Sequence, residues 1–225
     1  MQADLFILLD HVQFERRNYQ NRTRILLDGQ PHWLTVPVLQ MSQKERVLDK
    51  QIDNPPEETL RWWGTNHYLT LRHAYRQAPF FDLYGPDLKK ILESRWNKLV
   101  DLNHALLDFL RHALDIRTPV VRSSQLNVSG EKSELILNLC QFAGADVYLA
   151  GMGGSRDYLD QNAFNRAGIQ LQWQNFQHPV YRQCGHDLFV PGLSALDMLF
   201  NYGPQSRNMM QGEMTKTPAR QLEVA

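Results

Sequence analysis

Cysteine is nearly missing from this chain: Cys140 and Cys184 are the only two in 225 residues, far apart and without paired spacing. That excludes a disulfide framework and a cysteine-rich zinc site, and both read as reduced thiols. An excess of either charge is lacking as well. Twenty-four basic residues balance twenty-four acidic ones, so no global field recruits nucleic acid or an anionic membrane. No apolar run approaches the ~20 residues that span a bilayer. The first apolar run, Leu5–Leu9, is flanked by Asp4 and Asp10 rather than by a basic segment, so a signal peptide is not expected. The expectation is a soluble, cytoplasmic protein. The eight histidines show no metal-ligand spacing, and no structural metal is expected. Walker, Gly-x-Gly-x-x-Gly and Gly-x-Ser-x-Gly motifs are absent too, which removes the commonest nucleotide and serine-hydrolase signatures.

What is present is an ordinary globular balance, 43% hydrophobic and 21% charged, which argues against disorder. Arginine outnumbers lysine 17 to 7, a bias that favours anionic ligands mildly and fits a genome-level preference equally well. Leu5–Leu9 is an unbroken apolar run, as in a strand buried on both faces of a parallel sheet. Arg24–Leu27 and His32–Val38 flank Asp28-Gly29, a hairpin signal. Asn54–Glu58 reads as a helix entrance leading to an apolar stripe from Leu60 to Ala78. Gly85-Pro86 opens a second helical stretch to Leu114, about 43 Å long if continuous, with a break expected near Asp101–Asn103. Strand and helix patterns then alternate: Pro119–Val121, a helix capped by Ser129 and closed by Gly144, Val147–Ala150, a helix from Ser155 to Gly168, and a strand over Ile169–Trp173. A last helix covers Ser194–Tyr202.

This order predicts an α/β fold: a mostly parallel twisted sheet of βαβ units, Rossmann-like or nucleotidyltransferase-like. The expected organisation is a single domain over residues 1–203 with a helical insertion at about 55–115 and a loose tail over 204–225. In such a sheet ligands bind beyond the carboxyl ends of the strands. The residues found there are Asp10, Gln13, Asn21 and Arg22; Arg122–Gln125; the glycine-rich turn Gly151, Gly153, Gly154 with Asp157 and Tyr158; and Tyr181, Gln183 and His186. Solvated loops are polar anyway, and the glycine turn alone is either an anion seat or a tight strand-to-helix turn. Basic–aromatic interleaving is too short for a nucleic-acid platform.

These blocks resemble the WbqC-like family of bacterial proteins from Asp4 to about Gly203. The matching motifs are Ala3–Phe14, Asn21–Ile25, Trp33–Val38, Tyr75 with Ala78-Pro79, Gly144–Gly151, Asp157–Leu159, Tyr181–Gln183 and Leu193–Asp197 with Asn201 and Gly203. Two departures stand out. His11 replaces the second of two aspartates usual before Val-Gln, and the first βα unit that family members carry upstream of Ala-Asp is expected to be missing. The resemblance implies surface-polysaccharide (O-antigen) biosynthesis, with a glycine or aminoacyl transferase role acting on an amino sugar or sugar nucleotide. A bare carboxylate does not acylate an amine at neutral pH, so an activated donor is expected, with a nucleotide (ATP or sugar nucleotide) as the cofactor candidate. On that reading Asp10 is the general base or amine anchor, Asn21 and Arg22 bind anionic groups, and the Gly151, Gly153 and Gly154 turn takes phosphate. Tyr158, Tyr181 and Gln183 then frame the sugar, with Gln13, Asp157 and Ser194 as further substrate-binding candidates, while Asp197, three residues from Ser194 on one helix face, orients a partner or merely caps its helix. Expected partners are the small-molecule substrate and either a second copy of the chain or another pathway enzyme. The alternative is a non-catalytic binding or scaffold protein of a polysaccharide-assembly complex.

Overall fold

The computed structural model describes residues 2–42, 44–56, 62–212 and 220–221. In chain order it builds strands β1 (Phe6–Leu8), β2 (Arg22–Leu27) and β3 (Gln30–Thr35), then helices α1 (Trp63–Tyr75), α2 (Phe81–Glu93) and α3 (Leu99–Ala113). There follow β4 (Val120–Arg122), α4 (Lys132–Phe142), β5 (Val147–Ala150), the single turn α5 (Ser155–Tyr158), α6 (Gln161–Arg166) and β6 (Gln170–Trp173). The chain ends with β7 (Leu188–Phe189), α7 (Ala195–Tyr202), α8 (Ser206–Gln211) and β8 (Arg220–Gln221). It folds as two compact units, one of Met1–His11 with Thr118–Gln177 and one of Val12–Arg117 with His178–Ala225.

The first unit carries the expected α/β alternation. β1 pairs with β4 in parallel, Leu8 opposite Arg122, and β5 pairs with β6 in parallel, Ala150 opposite Trp173. Helices α4 and α6 supply the core, where Ile136, Cys140, Phe164 and Ile169 pack with Leu9 and Tyr148. The mixed α/β character and the parallel pairs are as expected, but among the described residues the strands join two by two and no large sheet forms. Each of these strands has three or four residues. Pro119 cannot donate a ladder hydrogen bond ahead of β4, and Gly151 ends β5, which keeps both strands short. Ser129 does not cap α4: the cap position is Glu131, without a side-chain cap, and the Ser129 carbonyl instead accepts from Asn138 Nδ2 at 2.8 Å. The helix does end at Gly144, whose φ of 63° lets Ala145 N reach back to Cys140 O at 2.9 Å.

In the second unit, β2 and β3 form the hairpin that Asp28-Gly29 announces. Both turn residues have positive φ (49° and 75°), the geometry of a two-residue loop that matches strand twist. Leu27 lies opposite Gln30, so Pro31 falls opposite Leu26, where the ladder asks no hydrogen bond of it. Against this hairpin pack α1, α2, α3 and α7 through Ile25, Leu34, Leu71, Tyr75, Leu88, Leu99 and Phe200. The long helical stretch is two helices, and the break falls at 94–98 rather than at Asp101–Asn103. Ser94 turns extended there (ψ 142°), and Trp96 donates its indole N–H back to Ile91 O at 2.8 Å. Of the expected helix entrance, Glu57, Glu58 and Leu60 lie outside the described residues. Beyond Gly203 the chain continues into α8, anchored by the buried Ser206 hydroxyl on Met198 O at 3.1 Å. Among the described residues no helix is long and apolar enough to cross a membrane.

Candidate functional site

Residues just past the carboxyl ends of β1 and β4 meet because the two strands run parallel and in register. Asp10, 1% exposed, sits at the centre. Its Oδ1 accepts from the Ser123 hydroxyl at 3.1 Å and from the Ser124 backbone N–H at 2.8 Å, and its Oδ2 accepts from the Ser124 hydroxyl at 2.6 Å. The Ser123 Oγ also receives the Asp10 backbone N–H at 3.2 Å and lies 2.6 Å from His11 Nδ1. A hydroxyl has one hydrogen and two lone pairs. With its hydrogen given to Asp10 and one lone pair taken by Asp10 N–H, Ser123 accepts from His11 Nδ1–H. That places the proton of a neutral His11 on Nδ1 and leaves a lone pair on Nε2, a buried atom without a hydrogen-bond partner among the described residues. Ser124, in contrast, is exposed. The cluster therefore ends, on its exposed side, at a serine whose hydroxyl proton points at a buried carboxylate.

The glycine-rich turn belongs to the same unit. Gly151, Gly153 and Gly154 are exposed, and a side chain added at any of them would meet nothing within 4 Å. Asp157 and Tyr158 follow on α5 and are exposed as well. A helix of one turn has almost no dipole to hold an anion, so the turn's backbone is open but weakly polarised.

Tyr181, Gln183 and Asp197 come together in the second unit, with Tyr75, which sequence reasoning did not assign to the group. Asp197 is fully buried; its Oδ1 accepts from Tyr75 OH at 2.9 Å, and its Oδ2 accepts from Tyr181 OH at 2.7 Å and Gln183 Nε2 at 3.0 Å. Tyr75 OH in turn accepts the outward N–H of Leu26 at 3.0 Å, and Gln183 exchanges both amide atoms with Val190 at 2.8 and 3.0 Å. Burial raises the Asp197 carboxyl above its ordinary value, against the opposing hydrogen bonds. Burial, with the carboxylate beside them, raises both tyrosines above the phenol range. No face of this group is open to solvent, and it ties α1, α7, β2 and the 181–190 segment into one network. Ser194 caps α7 through Leu196 N at 3.3 Å and donates its own N–H to Arg24 O at 2.7 Å.

The remaining expected residues also lie in the second unit. Asn21 closes the open end of the hairpin, its side chain donating to Val36 O at 2.9 Å and its carbonyl accepting Val36 N–H at 2.8 Å. Gln13 lines a cleft of about 490 Å³ with Phe14, Glu15, Arg16, Ser42, Glu45 and Lys50. Lys50 is buried there, 2.7 Å from Glu45 and 5.0 Å from the centre of the Phe14 ring. Arg22 stacks on Trp33, its guanidinium 4.1 Å from the ring centre. Asp10, the glycine turn, Asp157 and Tyr158 belong to one unit, and Gln13, Asn21, Arg22, Tyr181, Gln183, Ser194 and Asp197 to the other.

The model of the WbqC-like protein family matches residues 1–209. The chain belongs to that family. It is also similar to Rv1507c, an uncharacterised protein of Mycobacterium tuberculosis, at 30% identity over 212 residues, covering 93% of this chain and 88% of that protein. No solved structure matches it.

Proposed function

We propose that this WbqC-like protein is an acyl- or aminoacyl-transferase that modifies an amino sugar or sugar nucleotide during assembly of a bacterial surface polysaccharide. The observation that carries the reading is the hydroxyl of Ser124, an exposed residue, held 2.6 Å from the buried Asp10 carboxylate. In the proposed step the acceptor's amino nitrogen attacks the carbonyl carbon of an acyl phosphate or acyl adenylate. A C–N bond forms, the acyl C–O bond breaks, and the phosphate or nucleotide leaves. The amine proton passes to Ser124 Oγ as the Ser124 proton passes to Asp10 Oδ2, the carboxylate acting as base through the hydroxyl. Ser123 and His11 fix the carboxylate and its partner by the hydrogen bonds described above. The open backbone of the glycine turn over 151–154, rather than a helix dipole, receives the donor's phosphate, and the parallel pairs of the first unit support a Rossmann-like, nucleotidyltransferase-type reading. That last analogy is at the level of fold.

The test is chemical analysis of the polysaccharide. A strain lacking the gene is complemented with wild type or with Asp10→Asn, and the repeat unit is weighed by mass spectrometry. The expected outcome is loss of an acyl or aminoacyl mass in the deletion, restored by wild type and not by Asp10→Asn. An unchanged repeat unit in the deletion would refute the reading. A second reading, a non-catalytic scaffold, is favoured by the burial of Asp10 itself; it predicts full restoration by Asp10→Asn.

A further inference from the structure

The hairpin register puts Arg24 directly opposite Trp33, and Arg22 opposite Thr35, so both arginines share one face of the strand pair with the tryptophan. Their guanidinium carbons lie 4.1 Å (Arg22) and 5.6 Å (Arg24) from the Trp33 ring centre. Tyr19, 60% exposed, meets the same ring at 5.4 Å. Neither guanidinium has a carboxylate partner among the described residues, and the Nε of each is buried without a hydrogen-bond acceptor. Arg22 is further held by an Nη2 hydrogen bond to the carbonyl of Arg17. Arg24 is seated from the other side by Gly192: a Cβ there would lie 2.5 Å from Arg24 Nη2, and the residue has φ of 69°. Stacking fixes two cations in place while leaving their charge unanswered, and unsatisfied donors of this kind mark a site made for an absent anion. An exposed aromatic ring beside them offers a flat apolar face to a base or to the C–H face of a sugar.

We infer that Tyr19, Arg22, Arg24 and Trp33 form a binding site for a nucleoside-diphosphate sugar, its diphosphate bridging the two guanidinia and a ring stacked on Tyr19. Two fixed forks suit a diphosphate better than a carboxylate, because its oxygens span both in bidentate fashion. The ligand class follows the transferase reading, whereas the site itself stands on the hairpin geometry.

Calorimetry with UDP-N-acetylglucosamine, uridine diphosphate and inorganic pyrophosphate as separate titrants tests the site. The expected result is saturable binding of the first two that weakens with added salt. Arg24→Met, Arg22→Met and Tyr19→Ala should each weaken it about tenfold or more. Arg24→Lys keeps the charge but loses the fork, and should weaken it less than Arg24→Met. Gly192→Ala, which displaces the guanidinium without touching its charge, should mimic Arg24→Met, with circular dichroism showing the fold retained. Pyrophosphate binding as tight as that of the nucleotides would remove the ring from the proposal and overturn it as stated. Absence of binding at millimolar titrant, or equal binding by folded Arg24→Met, overturns it entirely. The two proposals fail separately: unchanged polysaccharide in the deletion strain with intact nucleotide binding sinks only the transferase, and Asp10-dependent acylation with unaffected Arg24→Met binding sinks only this site.

Discussion

Tyr75→Phe removes one oxygen from the interior and leaves two groups unanswered. The hydroxyl donates to Asp197 Oδ1 at 2.9 Å and accepts from Leu26 N at 3.0 Å, and all three residues are buried. The ring itself stays, packed 5.1 Å from Phe200, so no large cavity opens. A hydrogen bond to a charged group is worth about 1.5–3 kcal/mol, and a buried N–H left unpaired costs about 1–3 kcal/mol. Partial relaxation overlaps these terms, so the expected loss is about 3 kcal/mol. For a protein of this length that lowers the melting temperature by roughly 6–12 °C. Tyr181→Phe provides the internal control, because Gln183 still donates to the same Asp197 oxygen and no backbone group depends on the phenol. It should cost about 1–2 kcal/mol less than Tyr75→Phe. Urea unfolding followed by far-ultraviolet circular dichroism reads both, with the slope unchanged if only stability moves. A loss below about 1 kcal/mol for Tyr75→Phe, or a larger loss for Tyr181→Phe, would refute the account of this network.

Asp197 also gives a pH signature. Its folded pKa is raised above the ordinary 3.8, so its contribution is fully present below 3.8 and is lost as pH rises through the folded value. The stability of wild type relative to Asp197→Asn should therefore fall as pH rises above about 4; a rise in that direction contradicts the burial argument. His67 runs the other way. Burial lowers its pKa from 6.5 to about 4, so stability is lost as pH falls from 6.5 through 4, and the imidazole shifts in an NMR titration should move near pH 4 rather than near 6.5. Cys140 is buried with its thiol pushed up to about 11. It should react with a thiol reagent much more slowly at neutral pH than the half-buried Cys184, and equally fast once unfolded.

Local chemistry was legible wherever neighbouring residues decide the structure. Asp28-Gly29 announced the hairpin, Gly144 the end of α4, and Leu5–Leu9 a strand that does pair in parallel, although Leu5 and Phe6 are exposed and not buried as a two-sided core strand would be. The alternation of Gln170, Leu171, Gln172 and Trp173 matches their half-buried pattern in β6. What sequence could not supply was the grouping of segments far apart along the chain. Asp10 lies 113 positions from Ser123, and Tyr75 lies 122 from Asp197, separations at which no periodicity speaks. Asp197 illustrates the difficulty. A carboxylate three residues past a helix cap reads as an exposed functional group, yet its surroundings make it a buried acceptor for two phenols and an amide. The Arg24–Trp33 pairing was within reach. The two-residue turn fixes the register, and counting back from Leu27 and Gln30 places these two side chains face to face.

The transferase proposal requires that Ser124 carries protons between substrate and Asp10, instead of merely stitching a turn. Ser124→Ala tests it most directly, because the backbone N–H that binds Asp10 Oδ1 at 2.8 Å remains in place. The measurement is the acyl content of surface polysaccharide from cells carrying that variant, with its melting temperature confirmed to match wild type. The account predicts a folded protein and acylation reduced by about 100-fold or more. Wild-type acylation by folded Ser124→Ala protein would contradict it.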